Sequence, residues 1–133
     1  MTGQPPDPTF QCLIGYDAEV PCVTMTWKGY ATSREFRDAS ERVLSTFAER
    51  NASKLLGDAK DFVLIGSEDQ NWLSHHWIPR MIGVGLRTVA LVSPAFYFNK
   101  VAVETVGERL DPNQLVLKYF EDGAAARGWL AAA

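Results

Sequence analysis

The sequence predicts an α/β domain: a mixed five-stranded sheet in the order β-β-α-β-α-β-α-β-α, with an antiparallel N-terminal hairpin and four helices. Three observations carry this. Two runs that alternate apolar and polar residues, Phe10 to Tyr16 and Val23 to Gly29, face each other across a short turn. Two helical patterns each open on a capping box, Thr32 with Glu35 and Ser67 with Gln70. The run Thr88 to Val92 is nearly all apolar, as a parallel strand covered on both faces must be.

Taken in order, the first strand sets Phe10, Cys12, Ile14 and Tyr16 against Gln11, Leu13 and Gly15. The second sets Val23, Met25 and Trp27 against Thr24, Thr26 and Lys28. Strands joined this tightly pair antiparallel. Phe36, Ala39, Val43 and Phe47 recur at helical spacing, which predicts an amphipathic helix from about Ser33 to Arg50, ended by Asn51. Lys54 to Gly57 reads as a short third strand, parallel to the second through a right-handed crossover. A loop from Ala59 to Gly66 follows. The second helix runs to about Val84, with a kink near His75 or His76 because Pro79 removes a backbone donor. Gly83 and Gly85 close it. A helix near Lys100 to Leu110 turns Ala102, Val103, Val106 and Leu110 inward. Leu115 to Phe120 is the fifth strand, and Asp122 caps a terminal helix whose Trp129 and Leu130 pack back.

A chain of 133 residues, 47% apolar and 22% charged, reads as one soluble domain, here residues 10–133 behind a disordered proline-rich tail at 1–9. The net charge of -3 is dispersed and forms no basic stripe, which argues against nucleic acid. No apolar run suits a membrane span, and the N-terminal residues lack a signal-peptide pattern, so a cytoplasmic location is expected. Cys12 and Cys22 lie on strands that pair; two small buried thiols are favoured over a disulfide. No Cys-x-x-Cys and no glycine-rich phosphate loop is present, so neither metal nor cofactor is expected.

Several stretches resemble the STAS/SEC14-domain, or SpoIIAA-like, family of small bacterial proteins of largely unassigned function. They are Val23–Gly29 followed by Thr32–Phe36; Leu56-Gly-Asp58; Ser67–Trp72 continuing to Trp77-Ile-Pro79; Gly85 with Val89–Val92; and Tyr119–Asp122 leading to Trp129-Leu130. The resemblance covers about Phe10 to Leu130 and implies the SpoIIAA-like fold. Related anti-sigma-factor antagonists carry a phosphorylatable hydroxyl just after the third strand. Here Asp58-Ala-Lys-Asp61 stands there, and the nearest hydroxyl is Ser67.

Candidate chemistry is sparse. His75 and His76 point about 100° apart on a helix and cannot share a metal. One partly buried and one solvated histidine is the plain reading, with catalysis or pH sensing the sharper one. Trp72 and Trp77 suit core and cover. Arg80 suits a surface ion pair or an anion. Asp58, Lys60 and Asp61 beyond the third strand, with Ser93, Tyr97 and Asn99 beyond the fourth, mark the carboxyl edge where open α/β sheets bind ligands. Tyr30, Trp77, Tyr97 and Phe98, if exposed, suit an interface, for which Trp77, His76 and Arg80 are the named candidates. No catalytic set is complete. The sequence therefore favours a non-catalytic regulatory or protein-interaction module that pairs with a protein partner or with itself as a homodimer. The alternative is a protein, or an enzyme, that binds a small molecule, lipid or small apolar ligand at the strand 3 and strand 4 edge.

Overall fold

The computed structural model describes residues 10–63, 66–95 and 97–133, and the side chains of 97–99 lie outside that description, as does the tail expected at 1–9. Strands β1 (Gln11–Asp17), β2 (Cys22–Gly29), β3 (Lys54–Phe62), β4 (Thr88–Val92) and β5 (Val116–Phe120) form one five-stranded sheet in sequence order. β1 and β2 are antiparallel; every other neighbouring pair is parallel. The predicted fold class, with its mixed five-stranded sheet and antiparallel N-terminal hairpin, is the one observed.

Helix α1 (Ser33–Arg50) carries the full capping box: Glu35 N–H donates to Thr32 Oγ1 at 3.1 Å, and Thr32 N–H to Glu35 Oε1 at 2.9 Å. Asn51 ends it in the left-handed region. The second predicted helix runs unbroken as α2 (Ser67–Trp72), a π turn (Leu73–Trp77) and α3 (Ile78–Gly83). Its N-cap is Gly66 rather than Ser67, which is already the first helical residue and caps nothing. At its end Gly85, with φ +117°, lets Leu86 N–H reach Met81 O and Gly85 N–H reach Ile82 O, a Schellman closure that a residue with a Cβ adopts only under strain. Helix α4 (Tyr97–Glu108) begins a turn earlier than predicted. In α5 (Gly123–Ala132) Asp122 Oδ1 accepts from Ala125 N–H at 2.8 Å.

The sheet is covered on both faces. One core joins Met25, Leu55 and Val89 to α1, α3 and α4 through Phe47, Met81 and Val106. A smaller one seats Ala126 and Leu130 of α5 on Cys22, Ala90 and Val92. The two cysteines fall in different cores, on opposite faces of the hairpin, because strand neighbours alternate sides. No disulfide can join them. Burial pushes each thiol up to about 11, Cys12 with Arg42 pulling slightly back and Cys22 with Asp17 adding to the rise. The folded chain should therefore resist iodoacetamide at pH 9, where unfolded thiols react. A thiol held neutral contributes stability below the unfolded value near 9 that is lost as pH rises through 11. Midpoints of urea unfolding that hold constant from pH 8 to 11 would contradict this.

β3 is the largest departure from expectation. It continues five residues past Gly57, so Asp58, Lys60 and Asp61 are strand residues rather than a loop. β2 offers a long edge, and β3 follows it from Val23↔Leu55 to Gly29↔Phe62, slipping register between Thr26 and Lys28. Such a bulge lets a charged stretch stay paired while re-aiming its side chains.

Candidate functional site

Between the sheet and its helical layer lies a cavity of about 130 Å³ with almost wholly apolar walls. Met25, Leu55, Leu91 and Leu117 form the floor, and Val103, Val106 and Gly107 of α4 the roof. Leu73, Trp77 and Ile78 supply a wall. The π turn explains how three such closely spaced residues face one space. Ile78 N–H bonds to Leu73 O, five residues back. Pro79 has no donor and its ring crowds the carbonyl of residue 75, so widening the turn relieves both. The kink predicted near His75 takes this form.

Trp77 is 7% exposed. Its Nε1–H donates to Ser40 O at 2.7 Å, and Ser40 Oγ–H donates to Phe36 O at 2.8 Å. Trp77 is thus core and cover, as the sequence favours, and its candidacy as an interface residue is corrected: the indole at the end of the π turn is drawn inward and satisfied by α1. Trp72 is partly buried, edge-on to Phe36 and beneath Arg37.

α4 is tied to the opposite wall by Arg109, whose Nη1–H groups reach Asn71 Oδ1 at 3.1 Å and Ser74 Oγ at 3.3 Å. Tyr119 rises from β5 and ends in a buried hydroxyl with no partner among the described residues. Burial, then Glu104 and Glu108, pushes this phenol up to about 12. Gly107 is what gives the hydroxyl room, since a Cβ there would lie 1.9 Å from it.

The carboxyl edge looks different from what its charges suggest. On the helical side it is filled by Trp27, Phe36 and Phe62, with ring centroids 5.3 to 6.0 Å apart, and by Phe10 beside them. Asp58 is half-buried and accepts from Lys60 N–H at 3.0 Å; Lys60 and Asp61 are exposed. Ser93 follows Val92, the register partner of Asp58, and its N–H donates to Phe120 O. Tyr97 and Asn99 fall in the first turn of α4. Of these residues Asp58, Lys60, Asp61 and Ser93 do not line the cavity, and the side chains of Tyr97 and Asn99 lie outside the described residues. His76 is exposed, and His75 Nδ1 lies 2.9 Å from Asn71 O, so it carries the proton when the two bond. Arg80 forks onto Glu41 at 2.6 and 2.8 Å, the surface pair favoured from sequence. Tyr30 is exposed. No cluster of metal-ligating side chains exists among the described residues, and no helix among them is long and apolar enough to cross a membrane.

A second, polar groove of about 490 Å³ opens at the other side of α1, between Ile14, Gly15 and Tyr16 of β1 and Arg42, Thr46 and Arg50 of the helix. Sequence reading missed both spaces. Only the inward set of α4 and the misplaced helical Gly107 hinted at the first.

No family model and no curated protein matches the chain. Among solved structures it is similar to an uncharacterised protein of the DUF3478 family with a SpoIIAA-like fold from Shewanella loihica PV-4. The TM-score is 0.57 at 17% identity, over 98% of each chain. At that identity the likeness speaks for architecture, and it agrees with the strand order, the hairpin and the helical layer described above: this chain has the SpoIIAA-like fold.

Proposed function

We propose that the chain is a non-catalytic binding domain whose ligand is a small apolar molecule held beneath α4. The cavity carries this reading. Apolar cavities of roughly 150 Å³ elsewhere stay dry and take up benzene or xenon, and this one, at about 130 Å³, suits a single ring or a short branched chain. Filling it restores dispersion contacts that the lining now lacks. Lifting α4 widens the way in and, among the described residues, breaks the two Arg109 bonds.

Benzene, toluene and indole, added in series, should each raise the melting temperature in a saturable way. A ligand at a hundredfold excess over its Kd contributes about 2.7 kcal/mol. Val106→Phe fills the roof side and should abolish the shift. A melting point indifferent to all three compounds, or an undiminished shift in Val106→Phe, sinks the proposal.

The competing reading, a protein-interaction module or homodimer, has its own support in the exposed Tyr30 and Leu13 and in the polar groove beside β1.

A further inference from the structure

We infer that the groove between β1 and α1 is a docking site for an extended acidic peptide, which joins the sheet as a sixth strand. β1 is an edge strand, and every other residue of an antiparallel strand turns its N–H and C=O away from its partner. An added strand uses those groups and lies under the flank of α1, an arrangement that binds peptides between a sheet edge and a helix elsewhere.

The charge of the groove selects the guest. Arg42 makes no ion pair among the described residues, and Arg50 sits over the Tyr16 ring at 4.7 Å without a carboxylate partner. Among the described residues the one acid in the groove, Glu41, is already neutralised by the Arg80 fork. Ser45 and Thr46 lie between the two arginines.

The spacing selects the pattern. α1 runs back antiparallel to β2, and hence parallel to β1, and the groove brings it against Ile14, Gly15 and Tyr16 of that strand. The eight helical steps from Arg42 to Arg50 span about 12 Å, and four strand steps span about 13 Å. Carboxylates at positions i and i+4 of the guest then meet Arg42 and Arg50, with a small polar residue at i+2 beneath Ser45 and Thr46. Residues i+1 and i+3 fall on the opposite face, beside Leu13, which is 57% exposed. This site shares no residue with the apolar cavity, so the two proposals fail separately.

The probe is a fluorescent heptapeptide, Thr-Glu-Val-Thr-Val-Glu-Thr, blocked at both ends, and anisotropy is the readout. Binding should saturate. Arg42→Glu and Arg50→Glu should each weaken it at least tenfold. The double variant should instead bind the peptide with both glutamates changed to lysine. Methylation of alternate peptide nitrogens, which removes strand pairing and keeps the charges, should also cost at least tenfold. Four results overturn the inference. One is the absence of saturable binding. Another is indifference to charge reversal, or failure of the lysine peptide to bind a double variant that melts like the parent. A third is an N-methylated peptide that binds as well as the first. The last is a concentration-dependent doubling of mass that Arg42→Glu abolishes, which would give the edge to a second copy of the chain.

Discussion

Trp77→Ala should destabilise the domain by about 3–5 kcal/mol, the usual cost of truncating a large buried aromatic. In a domain whose whole stability is about 5–15 kcal/mol, that lowers the melting temperature by roughly 10–20 °C. The reasoning follows from the indole's position. It is 7% exposed, bonded to Ser40 O, and forms part of the cavity wall, so its loss merges a new void with one already present. Trp77→Phe keeps most of the apolar volume and gives up the N–H, for about 1 kcal/mol. An exposed docking aromatic would behave differently: surface substitutions stay within about 0.5 kcal/mol. Indole replaces the atoms removed, and should return part of the lost melting temperature to Trp77→Ala while doing far less for Trp77→Phe. Near-parental melting of Trp77→Ala would place the side chain at the surface and remove the wall from the cavity.

What the sequence made legible was local. Thr32 and Glu35 announce the start of α1 because a capping box involves only one helical turn. Thr88–Val92 announces a doubly covered strand because both its faces are apolar. The antiparallel hairpin follows from alternation on either side of a turn. Features decided by distant residues were not legible. Gly57-Asp58 and the charges at Lys60 and Asp61 resemble a loop, and only the length of the β2 edge keeps them in the sheet. Trp77 reads as core and cover in the sequence, but its bond to Ser40 of α1 does not, because that partner is 37 residues away. The cysteines appear pairable until the alternation of the hairpin is set against two separate cores. The cavity has no sequence signature, because it is the volume left where α4 and the sheet do not interlock. The polar groove is equally silent, since Arg42 and Arg50 read as the solvated face of α1.

Gly107→Ala should destabilise by about 1–3 kcal/mol, although in an ordinary helix it would stabilise by about 1 kcal/mol. The reversal is steric. The new methyl would stand 1.9 Å from Tyr119 Oη and 3.2 Å from Leu117 Cδ2, so α4 must lift or the phenol must tilt. Tyr119→Phe, by contrast, should be neutral or stabilising, because it deletes a buried hydroxyl that no group satisfies and whose burial costs about 1–3 kcal/mol. In the double variant the 1.9 Å clash is gone; the methyl still stands 3.2 Å from the ring carbon Cζ and from Leu117 Cδ2, contacts that small shifts relieve, and the helix gains its alanine. The two changes should therefore couple by at least about 1.5 kcal/mol, in the range measured for residues in direct contact. Alkali supplies an independent readout. Tyr119 is held neutral in the fold up to about 12, against about 10 when unfolded. Its contribution is complete below pH 10 and is lost as pH rises toward 12, so Tyr119→Phe should flatten the fall in stability across that window. Additive single and double variants would mean that α4 does not rest on the phenol at all, and a stability curve unchanged between pH 10 and 12 would mean that the hydroxyl already reaches water.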